Sequence, residues 1–185
     1  MPEPISDEDL QKVTVTELVP HNSTIRLDEY TDEWPRLYER EAARITGVLG
    51  GVVRRIEHAG STSVPGLPAK PIIDIVLEVP DSADEDAYVA PLEAHGYTLR
   101  IREADWFEHR LFKGPDTNIN LHVFTAGCEE VERMLRFRDH LRAHPADRDR
   151  YAAAKRELSA RVWRHVQHYA DAKSEVVREI LARAR

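Results

Sequence analysis

A single cysteine, Cys128, stands in a chain of 185 residues. It can form no intramolecular disulfide and a zinc site built on cysteines is excluded, so the chain suits a reducing cytoplasm. No apolar run approaches the ~20 residues that cross a bilayer as a helix, so no membrane partner is expected. The N-terminal MPEPISDEDLQ is acidic and polar, the opposite of a secretion signal. Residues 1–23 are expected to be an extension, mobile over its first dozen residues. Positive charge is also short. Lys and Arg number 26 against 33 Asp and Glu, a net −7, which argues against coating a nucleic acid, because phosphate backbones are gripped by net positive surfaces. There is no internal repeat, no low-complexity tract and no Gly-x-x-x-x-Gly-Lys-[Ser/Thr] spacing.

What is present reads as one globular domain over 24–185. Apolar residues make up 42% and charged residues 32% of the chain, the ordinary balance of a packed domain. Weak strand patterns occupy 13–19 and 24–27. Asp32 then opens a helix with Trp34, Leu37, Tyr38, Ala42, Ile45 and Leu49 on one face, stopped by Gly50-Gly51. Strands are expected over 52–59, 72–79, 97–101, 106–113 and 118–124. A helix capped by Ser82 is expected to run to about His95. From Cys128 the pattern is helical, with breaks near His144-Pro145 and Gln167-His168. The expected fold is therefore α/β (α+β): a mixed sheet flanked by helices, with a C-terminal helical cap.

The chemistry concentrates in HAGSTSVPGLPAKPIIDIV, His58 to Val76. Gly60-Ser61 falls where a strand ends. Glycine lets backbone N–H groups approach a ligand, and Ser61, Thr62 and Ser63 add hydroxyls, a combination suited to phosphate. Asp74 interrupts an apolar strand, which is costly unless the carboxylate is paired or holds a metal. It shares a face with Val76 and Glu78. Glu78 lies roughly 13 Å along the strand, too far to share an ion. In NINLHV, Asn118, Asn120 and His122 share a face that can line the same site. His58 can serve as acid or base, Lys70 can neutralise phosphate, and Arg110 offers a planar fork of donors as a phosphate clamp. Lys113 reads as a turn residue. Lys155 and Lys173 sit on helices from which they can bend over the site. His140 and His144 have helical metal-pair spacing, but no Glu base accompanies them and Pro145 adjoins. Trp34, Trp106 and Trp163 read as core or subdomain contacts rather than base-stacking platforms.

The blocks EHAGSTSVPGLPAKPIIDI (57–75), EWPRLYEREAARI (33–45), RLFKGP (110–115), NLHVF (120–124), FRDHLRAHP (137–145) and YADAKSEVVREIL (169–181) together resemble the GrpB family, over about 25–183. That family is regarded as a branch of the nucleotidyltransferase superfamily, whose pattern is Gly-[Gly/Ser], a spacer, then Asp-x-[Asp/Glu] on a strand, with a third acid usually on a neighbouring strand. The resemblance implies a nucleotidyltransferase-like fold, Gly60-Ser61 on a triphosphate, Asp74 on Mg²⁺, and a pocket completed by His58, Lys70, Arg110 and His122. It implies a nucleoside triphosphate as substrate and a small-molecule acceptor as second partner. Val76 stands where the second acid is expected, and His122 where the third is. Three readings follow: a one-metal transferase, a nucleotide- or phosphometabolite-binding module without transfer, and a different reaction on the same scaffold. An adaptor that binds protein through its helical half is a further alternative.

Overall fold

In the computed structural model, residues 5–184 are described. Five strands, β1 (Arg55–Ala59), β2 (Ile73–Val79), β3 (Thr98–Glu103), β4 (His109–Lys113) and β5 (Ile119–Thr125), form one mixed sheet in the order β1-β2-β5-β4-β3. Only the central pair, β2 and β5, is parallel. A parallel pair needs a crossover. The chain between β2 and β5 provides it, passing through α3 (Val89–Ala94) and the β3-β4 hairpin.

Period-2 alternation sorts the two faces. Ile73, Ile75, Leu77 and Val79 of β2 and Ile119, Leu121 and Val123 of β5 pack with Phe112 against Trp34, Ile45 and Leu49 of α2 (Glu33–Leu49) and against Leu92 of α3. These side chains are nearly all fully buried. The opposite face is divided. Toward one end, Val76, Phe124 and Ala59 pack beneath Val131 and Leu135 of α4 (Glu129–Ala143). Toward the other end it carries Asp74, Asn120 and His122. There α5 (Pro145–Ser159), α6 (Val166–Ala172) and α7 (Ser174–Leu181) close over it, held by Val64, Leu67, Leu141, Tyr151 and Ile180 and by Ile25, Leu158 and Tyr169. No helix among the described residues is long and apolar enough to cross a membrane.

Several expectations change. The stretch 13–19 is no strand. Asp7–Val13 form a helix, α1, and only Thr14 bridges Ile101. Of the apolar residues that suggested a strand, Val15 and Val19 are exposed. Helix α1 lies within residues 1–23, and its Asp7 pairs with Arg164 and His165. Residues 24–27 contribute no sheet strand; single bridges flank them at Ser23–Trp163 and Asp28–Ala69. Ser82 caps no helix. Its hydroxyl shares a hydrogen bond with Thr125 (2.9 Å) and its carbonyl accepts from Tyr88 (2.6 Å), so α3 begins only at Val89. The late helical break falls before Val166 and again at Lys173 rather than at Gln167-His168.

Candidate functional site

The antiparallel pairing of β1 with β2 sets Ala59 opposite Asp74, so the chain leaves β1 through Gly60 directly against the Asp74 carboxylate. Gly60 has φ +64° and ψ −171°, a region open essentially to glycine alone. A Cβ there would stand 2.2 Å from Asp74 Oδ2. The turn that follows is braced from within: the Ser63 hydroxyl donates to the Gly60 carbonyl at 2.6 Å.

Asp74 lies on the wall of a cavity of about 290 Å³ with Ser61, Thr62, Lys70, Asn120, His122, Lys155 and Lys173. The Asn120 amide donates to Asp74 Oδ1 at 2.8 Å, and His122 Nε2 stands 3.8 Å from the same oxygen. Lys113 donates to Asn120 Oδ1 at 2.8 Å. Four lysines therefore gather around one carboxylate. Lys155 is 2% exposed and donates to the Pro68 carbonyl. The Lys173 ammonium lies 4.4 Å above the Tyr169 ring, and that of Lys70 5.8 Å from the same ring.

The electrostatics follow from this crowding. Burial, and then the charge of Lys173, push the Lys70 ammonium down to about 8. Burial takes Lys173 to about 8 although Asp74 pulls it upward. Lys155 is driven well below the ordinary lysine range by burial and its lysine neighbours. Lys113 is lowered by burial. Burial alone would raise the Asp74 carboxyl, but the His122 ring, the Asn120 amide and the Lys70 ammonium together hold it below its usual value. Cations crowded this way, with one carboxylate among them, give the cavity an excess of positive charge.

A second cleft of about 320 Å³ adjoins the first across Ser61, Asp74 and Lys173. Its walls are mainly apolar: Val64, Met134, Phe137, Leu141, Tyr151 and Val177.

The structure thus brings Ser61, Thr62, Lys70, Asp74 and His122 to one cavity, with Gly60 at the border of the second cleft. Three expected residues lie elsewhere. Arg110 is opposite Val123 and so on the other face of the sheet, where it donates to Glu85 at 2.5 Å and to Glu108 at 3.4 Å. It is 4% exposed and fully engaged, and clamps no phosphate in this cavity. His58 also faces α2, its ring stacked on Tyr38 at 4.7 Å. Burial lowers it to about 4, leaving it neutral, and Nε2 pairs with the Thr62 hydroxyl at 3.0 Å. His58 therefore supports the turn from behind rather than acting within the cavity. Ser63 is 4% exposed and turned away from the cavity; its carbonyl accepts from Arg142 at 2.8 Å.

Lys113, Lys155 and Lys173 belong to the cavity wall or its first neighbours. For Lys113 the signal was strand parity, since it shares a face with Leu111, a cavity residue. The helical lysines carried no such signal. Glu78 is no second acid: it is 5% exposed, and Oε1 accepts from the Gly127 N–H at 2.7 Å. Among the described residues, no group of three His, Cys, Asp or Glu side chains could hold a metal ion.

Comparison with known proteins follows the same extent. Residues 24–183 match the family model described as GrpB protein. A UPF0157 protein of Halalkalibacterium halodurans is 65% identical over 181 residues, which cover 98% of this chain and 93% of that one. The crystal structure of the conserved protein GrpB from Enterococcus faecalis superposes with a TM-score of 0.72 at 30% identity, over 85% of this chain and 98% of that one. A dephospho-CoA kinase of Mycolicibacterium paratuberculosis is 29% identical over 186 residues, covering 86% of this chain but 46% of that protein.

Proposed function

The chain belongs to the GrpB family, and we propose that its cavity binds the polyphosphate of a nucleoside triphosphate and that the protein transfers the nucleotidyl group to a small acceptor. The observation that carries this reading is the convergence of Lys70, Lys155 and Lys173 on Asp74 beside the Gly60-Ser61 turn, with Lys113 linked to Asp74 through Asn120. The lysines take phosphate oxygens, and an anion that restores their ordinary protonation is bound more tightly for doing so. Ser61 adds a hydroxyl donor. The apolar cleft across Asp74 and Lys173 suits the nucleoside's base.

The residues do not fit a two-metal centre, since among the described residues Asp74 is the only acid on the cavity wall and Val76 fills the second-acid position. They do fit one Mg²⁺ brought in with the substrate. That ion takes phosphate oxygens, waters and one or two carboxylates, and Asp74 supplies the carboxylate. The ion would neutralise phosphate charge. The kinase name of one relative is not carried over, because the similar segment is under half of that protein and this chain has no Gly-x-x-x-x-Gly-Lys-[Ser/Thr] spacing.

Thermal melting with ATP, CTP, GTP and UTP, with and without Mg²⁺, tests the binding step in wild type and in Asp74→Ala. Ligand at a hundred times its Kd adds about 2.7 kcal/mol, which raises Tm by about 5–11 °C in a domain of this size. A rise with at least one nucleotide, reduced in the variant, and pyrophosphate release on adding an acceptor are expected. No shift with any nucleotide overturns the reading. Saturable binding with no product across acceptors would favour the binding module that Val76 suggests.

A further inference from the structure

A cleft of about 430 Å³ lies behind the Gly60-Ser61 turn, on the side where His58 and Ser63 line it, and it shares no lining residue with the lysine cavity. Three arginines face it: Arg138 and Arg142, one turn apart on α4, and Arg148 of α5. The chain leaves α4 at His144, whose φ of −122° and ψ of 88° lie outside the helical region, and the start of α5 carries Arg148 to the same cleft. Tyr30, Pro35, Tyr38 and Pro65 form the less polar walls. We propose that this cleft is a binding site for a small phosphomonoester, with the phosphate on the Arg142 and Arg148 guanidiniums and the organic part against those walls. The site does not depend on the nucleotidyl-transfer reading.

The three guanidiniums differ in what they already hold. Arg138 is fully engaged: it donates to Glu57 at 2.8 Å, to the His58 carbonyl at 3.0 Å, and to the two oxygens of Asp139 at 2.7 and 3.1 Å. Glu57, among the described residues the one acid on the cleft wall, is matched by that contact. Arg142 is anchored by a neutral group. Its Nε and Nη2 donate to the Ser63 carbonyl at 3.0 and 2.8 Å, and its Nη1 reaches Asp139, already engaged by Arg138, at 3.4 Å. A guanidinium has five N–H donors, so Arg142 is held in position with donors to spare. Arg148 is half-buried, with Nε 3.9 Å from where a Cβ would stand at Gly66. Among the described residues its guanidinium has no hydrogen-bonded or ion-paired partner.

Charge and shape name the ligand class. In a chain of net −7, Arg142 and Arg148 bring two positive charges to one cleft without a carboxylate of their own. A phosphomonoester carries about −1.5 to −2 at pH 7, and the planar arginine fork matches phosphate oxygens in pairs. A carboxylate carries about half that charge. Burial, and then the charge of Arg138, lower the Arg142 pKa, as expected of a cation short of counter-charge. The volume suits a small metabolite. The Tyr38 ring stacks on His58 at 4.7 Å and the Tyr30 ring meets Trp34 edge-on at 5.6 Å, so both walls are fixed before a ligand arrives. Walls already in place lose little freedom on binding.

The cleft and the lysine cavity lie on two sides of one turn. Ser63 presents its carbonyl to Arg142 and its hydroxyl to the Gly60 carbonyl at 2.6 Å, while Ser61 and Thr62 line the cavity. A phosphate on Arg142 therefore meets the turn through its Ser63 anchor and leaves the cavity open.

Backbone ¹H–¹⁵N spectra with phenyl phosphate as the probe test the site in wild type, Arg148→Gln and Lys173→Met. Wild type should show saturable shifts at the Ser63, Arg142 and Arg148 amides with a Kd below about 1 mM. Arg148 has no partner to lose, so Arg148→Gln should keep its Tm within about 2 °C and bind at least about tenfold more weakly. Lys173→Met, which disables the lysine cavity, should leave these shifts and their Kd unchanged. Phenylacetate, a carboxylate of similar size, and inorganic phosphate, which lacks the ring, should each bind at least about fivefold more weakly. No saturable shift at these amides, or binding kept in Arg148→Gln and lost in Lys173→Met, overturns the site. Phenylacetate as tight as phenyl phosphate overturns phosphate as the recognised group, and inorganic phosphate as tight overturns the role of the organic part. Failure of every nucleotide to bind, with these shifts as stated, removes the proposed substrate of the lysine cavity and leaves this site standing.

Discussion

Replacing Lys173 by Met should make the ligand-free protein more stable while spoiling its site. The wild-type ammonium is held to about 8 against an ordinary 10.5, with burial the leading cause. At neutral pH that displacement opposes folding by about 3 kcal/mol. Met keeps most of the aliphatic stem. It loses the cation–π contact with Tyr169, worth ~0.5–2 kcal/mol. Lys70 and Lys155, both depressed in part by Lys173, gain from its removal. The net is a stabilisation of about 1–2 kcal/mol, or about 2–8 °C in Tm. The pH dependence carries the sign. Below about 8 both folded and unfolded wild type hold the proton and the full penalty stands. From about 8 to 10.5 the unfolded chain holds it and the folded protein does not, so wild-type stability rises with pH relative to the variant. Urea unfolding of both proteins at pH 7 and pH 10 measures this. Tripolyphosphate should raise the wild-type Tm and do so at least tenfold less potently in the variant. A variant less stable than wild type at pH 7, with a parallel pH profile, would refute the account of Lys173 as a strained cation awaiting an anion.

Gly60→Ala should lose about 2–4 kcal/mol, from the glycine-only backbone conformation and from a Cβ 2.2 Å from Asp74 Oδ2. Any folded fraction should bind nucleotide poorly, because Asp74 must move; calorimetric titration of that fraction reads the second effect. Arg110→Met should destabilise by about 1–3 kcal/mol through the partners lost at Glu85 and Glu108, with nucleotide affinity unchanged. A selective loss of affinity would return Arg110 to the cavity.

Much of this site can be read from parity and spacing. The β-branched run around Asp74 announces a covered strand, and alternation in NINLHV puts Asn120 and His122 on one face, where β5 indeed sets them beside β2. Arg110 shows the same rule applied incompletely. It shares parity with Phe112, a core residue, and that alone assigns it to the helix-covered face. His58 is harder, because its face depends on the antiparallel register with β2, which no local pattern states. The helical lysines are harder still. Lys155 and Lys173 reach the cavity only because α5, α6 and α7 fold back over the open end of the sheet, and nothing near them in the sequence separates them from solvated lysines. Glu103, His109 and His122, linked by contacts of 2.6 Å and 3.0 Å, come into one row only through the β3-β4 hairpin and its pairing to β5, which no local pattern states.

The missing second acid can be examined from the other side. Val76→Asp restores the Asp-x-Asp pattern, and by parity alone it would set two carboxylates on one face, ready to share an ion. The structure argues against that outcome. Val76 is 1% exposed and packs with Ala59, Phe124, Val131 and Leu135 under α4. The cavity begins only beyond it, at Asp74. An aspartate at 76 would sit among apolar groups without a donor and would leave a cavity where the valine methyls packed. Burying such a carboxylate unpaired far exceeds the ~1–1.5 kcal/mol of a typical point substitution, and its pKa would rise until it neutralised. Val76→Asp should therefore lose at least about 3 kcal/mol of stability at pH 7, regain part of it as pH falls and the new carboxyl protonates, and show no gain in Mg²⁺ affinity by calorimetric titration. A stable variant that binds Mg²⁺ more tightly would mean that α4 lifts from the sheet readily. The one-carboxylate cavity would then be a closed form of a two-metal site, and the lysines would be secondary to it.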